Sequence, residues 1–387
     1  MQYVRTILNN EEEKTHTRLG VSKSSNPQTE QTKGYRNEEA KALEAKSRWP
    51  SSWYMLIDES GYYELTQDII NCTYQCAIYI AANNVILDGK GHIVDGCGNA
   101  TECCGIYVAG EHIVIKNITI REWKYGIMLS NFNRVYNVTL EKNQMGIYLL
   151  SYAHHNIIYG NIITNNTYAL SLVADNSYNI IFDNVVLFNE WGIMFEASPN
   201  NTIFFNDFAS NNNHYGYAGY ERYQQWISPD NVTYNYSGKT FSRRLGNYWS
   251  DYMGGDTNGD GIGDNPFDID PKPLVKQKQN YLIFDSDFDG LTDIEEQAFG
   301  TNAYTNDSDG DGLPDKWEID WNLNPLATDS SSDPDMDGLT NLGEYSYGGN
   351  PLNPDTDEDG MPDGWEIQYG FNLTEPSDAS IDSDGDG

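Results

Sequence analysis

From residue 105 to about residue 209, apolar and polar positions alternate in short runs, and the runs return at a nearly constant interval. Five units carry the pattern: "GIYVAGEHIVIKNITI" from Gly105, "GIMLSNFNRVYNVTL" from Gly126, "GIYLLSYAHHNIIYGNIIT" from Gly146, "ALSLVADNSYNIIFDNVVL" from Ala169 and "GIMFEASPNNTIFFNDFA" from Gly192. Their starts are 21, 20, 23 and 23 residues apart. Alternation with a period of two marks a strand, and a longer period of about 22 residues marks a coil of parallel strands. One coil cannot bury its apolar side alone, but the next coil stacked on it can. The pattern predicts an all-β fold, a parallel β-helix, with Ile106 and Val108, Ile127 and Leu129, Ile147 and Leu149, Leu170 and Leu172, and Ile193 and Phe195 pointing inward. Asn117, Asn137, Asn161, Asn184 and Asn206 recur once per unit, so a column of amides bonded along the stack is expected. The upstream piece "AIYIAANNVILDGKGHIVDG" reads as an earlier coil.

A different repeat begins at Asp285, where "DSDFDGLTDIEE" sets acids at places 1, 3, 5, 9 and 12 of a loop with Gly at place 6. Two carboxylates about 4 Å apart repel by about 1 kcal/mol in water, and by more when partly buried. A folded segment of this composition implies a counter-cation. Calcium takes roughly six to eight oxygens, which alternating acids, the place-7 carbonyl and a bidentate place-12 Glu supply. The first expected cage is Asp285, Asp287, Asp289, Leu291, Asp293 and Glu296; the second is Asp307, Asp309, Asp311, Leu313, Asp315 and Glu318. The third is Asp333, Asp335, Asp337, Leu339, Asn341 and Glu344, weakened mildly by Asn at place 9, and the fourth is Asp355, Asp357, Asp359, Met361, Asp363 and Glu366. A further copy begins at Asp382. Trp317 and Trp365 at one offset, and Leu or Met after each Gly, set these loops apart from a solvated acidic tail. "DTNGDGIGD" adds a candidate site with Asp256, Asn258, Asp260 and Asp264 but no place-12 acid.

The flanks divide the chain. Residues 1–48 read as a polar, mobile leader with a short helix possible only over 37–49, residues 49–270 as the β-helix with its closing segment, 271–284 as a linker, and 285–387 as the acidic repeats. The chain has 58 acidic against 23 basic residues, a net −35; from residue 285 onward there are 28 acids and one base, Lys316, so 28 − 1 leaves −27 in that part. Nucleic acid and anionic lipid are poor partners for such a surface. No run of about 18 apolar residues offers a membrane span. The start lacks the apolar core of an export signal, and the end falls inside a repeat, so a fragment of a longer protein is expected. Cys72, Cys76, Cys97, Cys103 and Cys104 lie close in sequence; local pairs such as Cys72 with Cys76, and Cys97 with Cys103 or Cys104, suit an oxidising compartment. Asn71, Asn117, Asn137, Asn231 and Asn372 head sequons that accept sugars in an exported chain.

"NNVILDGKGHIVDG", the Gly-Ile-x-Leu units and the segment "GNYWSDYMGGDTNGDGIGDNPFDID" resemble the NosD-like right-handed β-helix proteins of the carbohydrate-binding and sugar-hydrolase (CASH) group, over roughly residues 55–270. The acidic loops resemble bacterial-type thrombospondin type 3 repeats over residues 285–387. The first resemblance implies prokaryotic, often archaeal, surface proteins; the second implies calcium-dependent, rod-like extracellular arrays. Sugar hydrolases and lyases of the β-helix fold need stacked outward acids. The rows expected outward, Tyr107, Met128, Tyr148, Ser171 and Met194, and Lys116, Tyr136, Gly160, Asp183 and Phe205, hold no adjacent carboxylates. Glu111, Glu122, Glu141, Asp175, Glu190 and Glu196 share no offset. His154 and His155 face opposite ways on a strand, which argues against a copper site. The expectation is a non-enzymatic extracellular or cell-surface protein: a β-helix, with glycans or surface proteins as partners, on a calcium-stiffened stalk. The rival is a polysaccharide lyase or glycoside hydrolase tethered by those repeats.

Overall fold

The computed structural model describes residues 21–23, 41–42, 53–98, 103–218 and 223–380. Its body is a parallel β-solenoid. One sheet stacks Trp53–Ile57, Cys76–Ile80, Cys104–Val108, Tyr125–Leu129, Met145–Leu149, Tyr168–Val173, Trp191–Glu196 and Asn213–Ala218 in chain order. A second, larger sheet runs from Gly61–Leu65 through Val85–Asp88, Ile113–Arg121 and Arg134–Glu141 to Tyr248–Trp249. The ten inward residues expected from alternation are all essentially inaccessible. Fully burying one Leu, Ile or Phe side chain stabilises by about 1.5–3 kcal/mol, so this inner row is the main stabilising term of the solenoid.

The asparagine column exists, but the expected frame is corrected. Strand register pairs Val138, not Asn137, with the Asn161 rung, because Tyr136 pairs with Tyr159 and Thr139 with Ile162. Asn117 and Asn137 stand one place earlier, at a bend within their strands with φ of 55° and 51°, the left-handed region that Asn tolerates. There they do bond each other as expected, Asn137 Nδ2 donating to Asn117 Oδ1 at 2.5 Å. The observed ladder is Asn161, Asn184, Asn206 and Asn247. Asn161 Nδ2 donates to Asn184 Oδ1 at 2.9 Å, Asn184 to Asn206 at 2.9 Å and Asn206 to Asn247 at 2.9 Å. Two parallel ladders were not expected: Asn156, Asn179 and Asn201, and Asn166, Asn189 and Asn211. In each, Oδ1 also accepts the backbone N–H of the equivalent residue one coil before, as Asn184 does from Asn161 at 3.1 Å. Every turn amide in the interior thus has a partner, as a buried polar group requires.

The solenoid ends on Trp249, which stacks on Phe208 at 4.6 Å and donates from Nε1 to Asp270 at 2.9 Å. Residues 271–284 are no free linker. Leu274 is fully buried and bridges to Tyr248, and Tyr281–Ile283 joins an antiparallel sheet with Val232–Tyr236 and Lys239–Arg243. The apolar residues there, Leu274, Tyr281 and Ile283, have a second core to enter. It is built on the outer face of the solenoid from Tyr159, Phe182, Phe204, Tyr234 and Leu245.

Most of the leader lies outside the described residues. Lys41–Ala42, within the expected 37–49 helix, is a strand instead, paired with Val21–Lys23, which pairs antiparallel with Gly61–Leu65. Pairing there covers the open edge of the first coil. Among the described residues the cysteines form none of the expected local disulfides. Alternation turns Cys76 and Cys104 into the inward rows of Ile78 and Ile106, where they are register partners across coils, and the Cys76 thiol donates to Ile78 O at 3.3 Å. The expected outward row is likewise reframed. Register gives Glu64, Asp88, Lys116, Tyr136, Tyr159, Phe182 and Phe204.

Replacing Asn184 by Ala removes an acceptor and a donor in a closed ladder and leaves the buried Asn161 amide unmatched. A loss of about 2–4 kcal/mol in denaturant unfolding of the whole chain is expected. Asn137→Ala, at the exposed bend, should cost less than about 1 kcal/mol. Equal losses would restore the one-residue-shifted column.

Candidate metal centres

Four short helices punctuate the acidic region: α1 (Asp293–Phe299), α2 (Asp315–Asp320), α3 (Asn341–Tyr347) and α4 (Asp363–Tyr369). Each is preceded by one acidic loop. The place-1 Asp shapes the loop: Asp285 accepts the Phe288 and Gly290 N–H groups at 2.7 and 3.1 Å, and Asp333 those of Met336 and Gly338 at 2.7 and 3.1 Å. The place-5 Asp accepts the place-7 N–H, as Asp289 does from Leu291 and Asp359 from Met361. Gly290, Gly312, Gly338 and Gly360 at place 6 have φ near 100° (97–101°), outside the range that a side chain tolerates. The place-12 Glu sits in the first turn of the helix and turns back over the loop.

This fold brings together Asp285, Asp287 and Asp289, then Asp307, Asp309 and Asp311, then Asp333, Asp335 and Asp337, then Asp355, Asp357 and Asp359, each trio with ligand atoms within 4.8 Å. Above each trio lies a glutamate with almost no exposure: Glu296 0%, Glu318 0%, Glu344 1% and Glu366 0%. Both carboxylate oxygens of all four are buried without a hydrogen-bond partner, as is one oxygen each of Asp287, Asp289, Asp309, Asp335, Asp357 and Asp359. A buried unpaired carboxylate is costly, and a hard divalent cation is the group that removes the cost for several at once. The donor set is oxygen throughout, which fits calcium and disfavours a soft metal.

Place 9 departs from the expected cage. Asp293, Asp315 and Asp363 each accept both the N–H and the hydroxyl of the place-2 residue, Ser286, Ser308 and Thr356. Two of them also reach the preceding loop: Asp363 groups within 4.8 Å with Asp337 and Glu344 of the third loop. Asp315 likewise raises the pKa of Asp289 and Glu296. Loops two and four receive the same kind of neighbour from Asp329, near Glu318, and Asp378, near Glu366. Neither residue was expected. Each follows its glutamate by eleven or twelve positions, an offset hidden because it lies outside the loop repeat. Asn341 donates to Asp329, leaving its own Oδ1 buried and unpartnered.

The Asp256 loop has the same backbone but different chemistry. Asp264 accepts from Thr257, and Asn258 Nδ2 donates to Asp260, whose carboxylate also faces Arg243 at 3.5 Å. Arg243 offsets one of the loop's three carboxylate charges.

Two other sets bear on function. On the outer solenoid face, Glu64 and Asp88 are adjacent carboxylates that the expected rows omitted, because the row began at Lys116, two coils too late. Both are engaged: Glu64 pairs with Lys90 at 2.5 Å, and Asp88 accepts from Tyr62, the Lys90 N–H and Asn117. A shallow polar pocket of about 420 Å³ beside them is lined by Lys90, Asn117, Thr119, Asn137 and Thr139 among others. Of the histidines, His155 stacks between Phe132 and Tyr178, His154 bonds Ser177, and His214 bonds Asp251. Each of these imidazoles is engaged by a different neighbour, and the Cys76 thiol by a backbone carbonyl.

The fold and the acidic clusters together define a parallel β-solenoid protein followed by loops of gathered carboxylates. The chain belongs to the NosD family, whose model, described as "Periplasmic copper-binding protein (NosD)", matches residues 41–254. No curated protein matches the chain significantly. Three solved structures do. One is the A-module of mannuronan C-5 epimerase AlgE6 from Azotobacter vinelandii, at 13% identity and a TM-score of 0.33, covering 45% of this chain and 52% of that one. The chain thus spans about half of that module.

Burial first, and then the crowding of neighbouring acids, pushes Glu296 up to about 8, Glu318 to about 9, Glu344 to about 9 and Glu366 to about 8. The folded, metal-free array therefore holds these protons more tightly than the unfolded chain does. Stability from them is full below the ordinary carboxylate range and is lost as pH climbs through about 8–9. In chelator, thermal unfolding of the array should move to lower temperature between pH 5 and 9. In excess calcium the apparent affinity should rise over the same window, because the ion displaces protons. A pH-independent melting temperature in chelator would contradict the assignment.

Proposed function

We propose that this is an exported, non-enzymatic solenoid protein whose acidic repeats are calcium sites holding the C-terminal part folded. The observation that carries the reading is the set of four glutamates, each nearly inaccessible and each with both oxygens unpartnered. In this reading Asp, Glu and the place-7 carbonyls of Leu291, Leu313, Leu339 and Met361 form the shell. Asp315, Asp329, Asp363 and Asp378 supply negative charge from the next segment. The Asp256 loop is left out of the count, since it has no place-12 acid and Arg243 lies 3.5 Å from its Asp260 carboxylate.

The location follows from the same chemistry. Extracellular calcium modules work at about 0.1–1 mM, far above cytosolic calcium, so the sites fill only outside the cytoplasm. The periplasmic description of the NosD family supports export. Among the described residues no helix is long and apolar enough to cross a membrane. The coil is taken as right-handed, the hand that parallel crossovers adopt. Glycans or other surface proteins are the proposed partners of the solenoid, with the polar pocket at Asn117, Thr119, Asn137 and Thr139 as the place for a hydroxyl-rich ligand.

A second reading, polysaccharide cleavage, draws on the adjacent Glu64 and Asp88 beside Lys116. Both carboxylates are tied by Tyr62 and lysine, which supports a structural network over a free acid and base.

Isothermal calorimetry of the whole chain should register four calcium equivalents. At a calcium concentration 100 times Kd, each site should add about 2.7 kcal/mol to the stability of the array. Glu344→Gln should remove one equivalent. No binding heat, with the same melting curve in calcium and in chelator, would refute the reading.

A further inference from the structure

The acidic repeats do not project from the solenoid. They turn back and lie along its outer face, and the contacts come from the two helices nearest the solenoid. In α1, Asp293 and Glu296 face the first cage, while Ile294 and Ala298 are buried in the second core. Phe299 meets Tyr159 edge to face at 5.7 Å, and Gln297 exchanges hydrogen bonds with Asp230 and Asn231. In α2, Glu318 faces the second cage, and Asp315 lies between it and the first. The next residues dock: Arg134 from the solenoid donates to Ile319 O at 2.8 Å and Asn322 Oδ1 at 2.7 Å, and its guanidinium lies over Phe299 at 5.8 Å. Asn322 Nδ2 returns a hydrogen bond to His112 O at 2.8 Å, and Trp321 packs on Tyr62 at 6.1 Å.

We infer that calcium in the first two cages latches the array onto the solenoid, and that releasing the ion uncovers the Tyr159 ring on its outer face. The inference rests on the calcium reading and goes beyond it. The physical link is helix length. α1 has seven residues and α2 has six, far too short to hold together alone. Each is ordered from two sides, by a cage on one face and by the solenoid on the other. A cage without its cation leaves several carboxylates buried against one another at the start of the helix. The cost falls on the segment that must present Ile319 O and Asn322 to Arg134. The third and fourth cages lie beyond the latch. The fourth loop brings Glu358 near Glu64, a like-charge pair that attracts nothing.

The test compares the whole chain in calcium and in chelator by small-angle scattering and by hydrogen exchange across residues 284–329. Chelation should enlarge the particle and speed exchange in α1 and α2 by at least about tenfold. Glu318→Gln should give the same release in calcium, and Glu366→Gln, in the fourth cage, should keep the latch closed. Arg134→Ala provides a check that spares every cage. It should retain the calcium heat of the unmodified chain yet lose protection at residues 319–323. Normal calcium heat with unchanged scattering and exchange on chelation would overturn the latch while leaving the calcium sites standing. Absence of heat would remove both. Release by Glu366→Gln as complete as by Glu318→Gln would also overturn it.

Discussion

A polar atom removed from water must find a partner, and the two halves of this molecule meet that demand in opposite ways. In the solenoid the partner is another part of the chain. The amides of Asn161, Asn184, Asn206 and Asn247 bond one another and the backbone of adjacent coils, so the interior turns are closed without solvent. In the acidic loops the chain withholds the partner. Glu296, Glu318, Glu344 and Glu366 are carried inside by short helices and meet only other acids. The first half closes its polar groups within the polypeptide, whereas in the second both oxygens of each of those four glutamates lack a hydrogen-bond partner.

This difference explains what the sequence made legible. Inward residues such as Ile127 and Leu149 obey a period of two and are found where alternation puts them. The asparagine column was legible as a repeat but not in its frame. A 24-residue spacing between Asn137 and Asn161 hid a one-residue step, and a step of one moves a side chain from the bend to the ladder. The trios of aspartates were readable because a loop is local. Asp329 and Asp378 were not, since their relation to Glu318 and Glu366 exists only after the chain has folded back. The adjacency of Glu64 and Asp88 was missed for the same reason, because coil register is a long-range property.

The largest departure concerns shape. A stalk was the expectation for the repeats, drawn from their resemblance to rod-like arrays. Arg134 contradicts a free stalk, because its guanidinium is spent on Ile319 and Asn322. Nothing local to "DKWEIDWN" announces that its carbonyls face a solenoid arginine 185 residues away in the chain. Tertiary docking has converted the expected spacer into a side wall, with the Tyr159 ring as part of its seat.

The ladders also have a direction. Each Oδ1 receives from the coil before it and each Nδ2 donates to the coil after it, until Asn247 and Trp249 hand the last bonds to Asp270. Interior rungs are interchangeable, so a coil duplicated or deleted in register needs no new bonding chemistry. Length is therefore a free variable for such a molecule over evolutionary time, whereas the carboxylate at Asp270 has no substitute among the repeating units and must travel with whatever coil comes last.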